Sequence, residues 1–174
     1  MPICRKTMCG LAACGLLLAT SAQAGLEVVF TESAPKDRFT VTNTGDCALN
    51  NMNLEVDLSN SAGRLIFDTA KDGAGVEVFQ PFEGGKGVEL VSGDRVWDGD
   101  NRLSLSFKKL EAGARFSFTI DVDDSLPESE LGKIRVADSE IQGAVIRLEA
   151  TRIGKVSAEF GGESRAVIKA PLCS

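Results

Sequence analysis

Two acidic stretches carry the residue types that could do chemistry in this chain. "DRVWDGDN" supplies Asp94, Asp98, Asp100 and Asn101, and its Asp-Gly-Asp-Asn core can turn several oxygens into one bend. "DVDDSLPESE" supplies Asp121, Asp123, Asp124, Glu128 and Glu130. A hard cation such as calcium takes about six to eight oxygens from carboxylates, backbone carbonyls and water. Asp94, Asp98, Asp100, Asn101, Asp121, Asp123 and Asp124 are therefore the candidate calcium ligands. Neither stretch follows the Asp-x-Asp-x-Asp-Gly spacing of the helix-loop-helix calcium loop. The competing account of the second stretch is the solvated end of a strand. Asp121 and Asp123 alternate with Ile120 and Val122, so a period of two turns them outward, and Asp124, Glu128 and Glu130 fall in the turn beyond. Carboxylates this close repel unless protonated, solvated or bridged by a cation, and both accounts stay open at this point.

Other chemistry is largely excluded by composition. The chain has no His and no Tyr, which removes Ser-His-Asp and Cys-His nucleophile systems and the commonest general base. Thiolate zinc sites need several Cys or His ligands and fail for the same reason. A carboxylate pair, as in glycosidases, remains formally available. Among 25 acidic residues some pair will always look suitable, and a single Trp offers little aromatic lining for a sugar cleft. The expectation is a protein that is not an enzyme. "EGGKG" at 83–87 lacks the Gly-x4-Gly-Lys-Ser/Thr pattern of phosphate loops and reads as a hairpin turn, as does "GGES" at 161–164.

The first 24 residues begin with Arg5 and Lys6, continue through the apolar run Leu11 to Ala19 and close on Ala22-Gln23-Ala24. This is the pattern of a secretory signal peptide cleaved after Ala24. "LAAC" at 11–14 looks like a lipid-attachment box but sits too early in the apolar run. The mature segment 25–174 is then expected outside the cytoplasm, periplasmic or extracellular, as a single domain. Removing Arg5 and Lys6 takes the net charge from −6 to −8, and a chain this acidic repels phosphate backbones, so nucleic acid is not an expected partner. Cys4, Cys9 and Cys14 leave with the signal. Cys47 and Cys173 remain, and two thiols in an oxidising compartment are expected to form one disulfide.

The elements that must position the acidic stretches are short strands. Alternating rows run through Leu26, Val28 and Phe30; Phe39 and Val41; Leu54, Val56 and Leu58; and Leu103, Leu105 and Phe107. Further rows are Phe116, Phe118, Ile120 and Val122; Ile134 and Val136; and Ile146, Leu148 and Ala150. Gly-, Asn- and Asp-rich turns separate them. One helical turn is expected after Pro127, where Ser125 can cap. Trp97 is expected to pack on the core, and Pro81 to mark a strand leaving its sheet near Phe79 and Phe82. Arg147 and Arg152 are expected to pair across strands with Glu149 and its neighbours. The pattern predicts an all-β, immunoglobulin-like antiparallel β-sandwich.

Residues 37–59 and 103–123 are similar to the opening strands and the later hairpin of immunoglobulin-like secreted bacterial modules. More of the chain resembles small secreted bacterial proteins labelled aggregation factor core protein, through "ESAPKDRFTVTNTG", "GRLIFDT", "GVEVFQPFE", "DGDNRLSLSF", "TIDVDDSL" and "IRVADSEIQGA". The resemblance implies cell adhesion and calcium. The expected partners are a protein or glycan at the cell surface, or a second copy of the chain. The alternative is a metal-free structural or accessory subunit of an envelope assembly, joined through an unpaired edge strand at "GLEVVFT" or "SRAVIKA".

Overall fold

The computed structural model describes residues 25–91, 93, 95–150 and 154–169; the expected signal peptide, Asp94, Arg152 and Cys173 lie outside them. The strands in chain order are β1 (Gly25–Thr31), β2 (Arg38–Asn43), β3 (Leu49–Asp57), β4 (Ile66–Asp68), β5 (Glu83–Gly84), β6 (Val88–Leu90), β7 (Arg102–Leu110), β8 (Arg115–Thr119), β9 (Asp121–Asp123), β10 (Val145–Ala150), β11 (Gly154–Glu159) and β12 (Arg165–Lys169). All pair antiparallel. One sheet has the order β12-β1-β2-β8-β5, the other β11-β10-β3-β7-β6, and β4 pairs with β9 alone. Among the described residues there is no α-helix, only a 3-10 turn at Gly162–Ser164 between β11 and β12. Among the described residues no helix is long and apolar enough to cross a membrane.

Alternation does the work expected of it. Leu26, Val28, Phe30, Phe39, Val41, Leu54, Val56, Leu103, Leu105, Phe107, Ile146 and Leu148 are all buried and share one core. Rings join the two large sheets: Phe107 of β7 lies 5.2 Å from Phe116 of β8 between centroids, while Phe39 and Phe118 stack at 5.0 Å on neighbouring strands. Each such side chain contributes about 1.5–3 kcal/mol by leaving water. The result is an all-β, sandwich-like arrangement of antiparallel sheets.

Several local expectations are corrected. Ile134 lies in a turn and Val136 in a segment without regular structure, neither in a strand, and residues 125–133 form bends without a helical turn. "EGGKG" is not a hairpin. It carries the chain from β5, paired with β8, to β6, paired with β7. β1 lies between β12 and β2 rather than at an edge, whereas β12 is an outer strand.

One break positions the candidate site. After Ile120 the chain stops pairing with β2 and pairs with β4 instead, in the register Ile66 to Asp123, Phe67 to Val122 and Asp68 to Asp121. Phe67 and Val122 enter the core. The aspartates take the opposite side of the ribbon.

A buried carboxylate cluster as candidate metal centre

Direct opposition of Asp68 and Asp121 across the β4–β9 pair places their carboxylates on one face. Asp123, two residues along, shares that face. All three are fully buried. Gln80 ties the two strand ends together: its amide donates to Asp68 O at 3.3 Å, and its carbonyl accepts from Asp121 N at 3.1 Å.

The loop after β4 folds over this face. Thr69 N and Ala70 N donate to Asp98 Oδ1 at 2.9 and 3.2 Å, and Ala74 N donates to Asp98 Oδ2 at 2.5 Å. Val76 N donates to Asp123 Oδ2 at 2.8 Å. Gly75 is required here on steric grounds, because a Cβ at that position would overlap the Asp68 and Asp123 carboxylates. Asp98 itself is placed by the 97–100 turn. Gly99 takes a positive φ of 79°, Asp100 Oδ2 accepts from Trp97 N at 2.9 Å, and Phe67 N donates to Asp100 O at 2.7 Å.

Donors for the cluster run out well before its acceptors do. Both oxygens of Asp68, both of Asp121, Asp123 Oδ1, Asp124 Oδ2 and Gln80 Oε1 are buried with no hydrogen-bond partner. Among the described residues no Lys or Arg pairs with any of these aspartates. Burial pushes the Asp121 carboxyl up to about 8, with Asp123, Asp37 and Asp68 adding repulsion. Asp68 is raised to about 7 by burial and by its neighbours Asp98 and Asp123, and Asp123 is raised by burial as well. Burial also pushes Asp98 up, but the amides of Thr69, Ala74 and Ala70 outweigh it and hold that group below the ordinary range. Asp37, beside the cluster, accepts from Ser33 N at 2.7 Å and Val122 N at 2.9 Å, yet burial raises it to about 7. Among the described residues no group of three or more His, Cys, Asp or Glu side chains is placed so that it could hold a metal ion as it stands. What is assembled is an all-oxygen set, closed by a glycine loop and short of positive charge.

Three of the expected ligands, Asp98, Asp121 and Asp123, are brought together here. Asp124 adjoins them; its Oδ1 accepts from Leu126 N at 3.1 Å. Asp100 is committed to its turn, and Asn101 is exposed, its backbone carbonyl accepting from Leu58 N at 2.7 Å. Asp94 lies outside the described residues. The solvated-strand account fails for Asp121, Asp123 and Asp124, all buried, because β4, Gln80 and the 69–76 loop cover the face that alternation assigned to water. It holds for Glu128 and Glu130, which are exposed. Asp68, Asp37, Gln80 and Gly75 were not expected. No local pattern marks Asp68, since only its partner in the register makes it a site residue.

Trp97 also departs from expectation. It is 64% exposed, with the Arg95 guanidinium 5.0 Å from its ring centroid, and Val96 fills the core position beside it. Phe79 and Phe82 are half-buried in a segment without strand structure. Arg147 pairs with Glu55 and Asp57 rather than with Glu149, which Lys155 contacts instead. Cys47 is partly buried against the core, and its expected partner Cys173 lies outside the described residues. Compared with protein-family models, with curated proteins and with solved structures, the chain gives no match.

Proposed function

We propose that the protein is an exported, non-catalytic binding module whose Asp68, Asp98, Asp121 and Asp123 cluster takes calcium. The observation that carries this is the set of five buried oxygens on Asp68, Asp121 and Asp123 that no donor reaches. An uncompensated buried charge costs several kcal/mol. Protons relieve part of that cost near neutral pH; a divalent hard cation relieves it with the carboxylates ionised. The donor set is oxygen throughout, which suits calcium and not the softer metals. Bound there, the ion would supply the missing charge and tie β4, β9, the 69–76 loop and the 97–100 turn to one another.

In this account the immunoglobulin-like sandwich, the Cys47–Cys173 disulfide and export serve adhesion at a cell surface or in a matrix, with calcium stiffening the binding end. The lack of His and Tyr in the sequence and the closed, buried position of the carboxylates favour binding over hydrolysis, which requires a facing pair open to substrate. Thermal unfolding in calcium, magnesium and chelator tests the assignment. Calcium at about 100 times its dissociation constant should stabilise by about 2.7 kcal/mol, roughly 5–10 °C for a chain of this size. Equal melts in calcium and chelator would remove the metal from the account.

A further inference from the structure

β7 runs from the carboxylate cluster to a region of opposite character. Its first residue, Arg102, follows the 97–100 turn, and its last, Leu110, borders a hollow of about 400 Å³ between the two large sheets. The two ends are eight steps apart along the strand, about 27 Å. The hollow has an apolar floor that includes Phe107 and Phe116, a rim of Lys86, Lys108, Lys109 and Arg115, and one carboxylate, Glu89. Lys109 contacts Glu111 at 2.6 Å. Among the described residues Lys86, Lys108 and Arg115 have no ion pair.

A second, flatter hollow adjoins the first and shares Arg115 and Phe116 with it, adding Thr40 and Ser117. The register explains this lining. Phe39 and Val41 pair with Phe118 and Phe116 on the inner face, so Thr40 with Ser117, and Thr42 with Arg115, stand on the outer face. Arg38 extends the row and donates to Ser117 Oγ at 3.2 Å. Cations and hydroxyls thus alternate along a track instead of converging on one point. A single small anion could engage one or two of these groups; a chain of repeating anions can engage them in succession. The chain's net charge of −6 does not forbid this, because at physiological ionic strength charges more than about 8–10 Å apart are largely screened.

We propose that this basic end is a binding site for an acidic polysaccharide, with sulfate or carboxylate groups held by Lys86, Lys108 and Arg115 and sugar hydroxyls by Thr40 and Ser117. The site is independent of calcium. It gives the binding module a ligand class, and it stands or falls separately from the carboxylate cluster.

The test is a titration of the purified protein in chelator with dextran sulfate, polygalacturonate, poly-glutamate and neutral dextran. Dextran sulfate or polygalacturonate should bind, with an affinity that weakens as salt rises, and neutral dextran should not; the tighter of the two acidic polymers identifies the anionic group. Lys108→Glu with Arg115→Glu should weaken binding by about tenfold or more. Lys133→Glu with Lys155→Glu changes the net charge equally and should leave most of the affinity. Lys108→Gln with Arg115→Gln gives the same comparison if the reversed pair lowers the melting temperature. Equal loss in the control pair, poly-glutamate binding as tightly as the polysaccharides, or no binding by either acidic polymer would each overturn the proposal.

Discussion

Asp57 and Asp121 are both hidden from solvent, and the fold treats them in opposite ways. Asp57 receives Arg147 Nη1 at 2.6 Å and Arg102 Nε at 3.1 Å, and Ser59 N donates to it at 3.0 Å. Burial acts to raise its pKa, but Ser59, Arg147 and Arg102 together hold it well below the ordinary carboxylate range. Asp121 receives nothing at either oxygen, and its charged neighbours are more aspartates. The contrast matters because the chain plainly can bring arginines to a buried carboxylate. At Asp57 they come from β7 and β10, which flank β3. Around β4 and β9 the approach is taken instead by a glycine loop whose backbone amides satisfy Asp98 and one oxygen of Asp123. Amides supply partial charge and cannot neutralise a carboxylate cluster.

Breaking the compensated side should have the largest effect. Arg147→Ala leaves Asp57 buried with Arg102 and Ser59 alone and should cost about 2–3 kcal/mol, read as a lower denaturant midpoint at unchanged slope. Adding Asp57→Asn should recover part of that loss, since the uncompensated charge goes with it. Full additivity of the two changes would show that the pair is not coupled.

At the other site removing a carboxylate charge should stabilise the otherwise native protein, because no arginine there loses a partner. Asp121→Asn in chelator at pH 8 removes repulsion and should stabilise the fold by on the order of 1 kcal/mol, while abolishing any calcium increment. The pH dependence follows from the same shifts. Asp121 and Asp68 titrate at about 8 and about 7 in the fold, against about 4 unfolded. Between those values the folded chain holds protons that the unfolded chain has lost, so apo stability falls as pH rises from about 4 to 8. Asp57, depressed in the fold, contributes stability that is present at neutral pH and lost on acidification. Melting curves in chelator across this range should show the descending limb, shallower in Asp121→Asn. A limb that is flat in the native protein would mean that the cluster is not desolvated.

How much of this was legible in the sequence follows from what alternation can encode. It marked the inward rows of β1, β2, β3, β7, β8 and β10, because each has one wet face. It misplaced Asp121 and Asp123, because β9 is covered on both sides and a period of two has no symbol for a second dry face. Asp98 could be proposed from its turn chemistry alone. Asp68 could not, since its role depends on pairing with a strand more than fifty positions away. The basic track is hidden as well: the register sets Thr40 beside Ser117, but only the packing of the two sheets brings Lys86, Lys108 and Arg115 to one hollow.

The smallest effect on stability should come from Trp97. Its ring is mostly in solvent, so Trp97→Ala should change stability by no more than about 0.5 kcal/mol. Its value lies in its position, because its amide donates to Asp100 in the turn that carries Asp98. As the single tryptophan of the chain, it reports on that turn without competing emission. Calcium entering the cluster must alter the bonding of Asp98, and with it the setting of the indole, so the native protein should show a saturable change in emission that Asp98→Asn loses. A calcium-induced rise in melting temperature with no change in Trp97 emission would place the ion away from Asp98 and shrink the proposed ligand set to Asp68, Asp121 and Asp123.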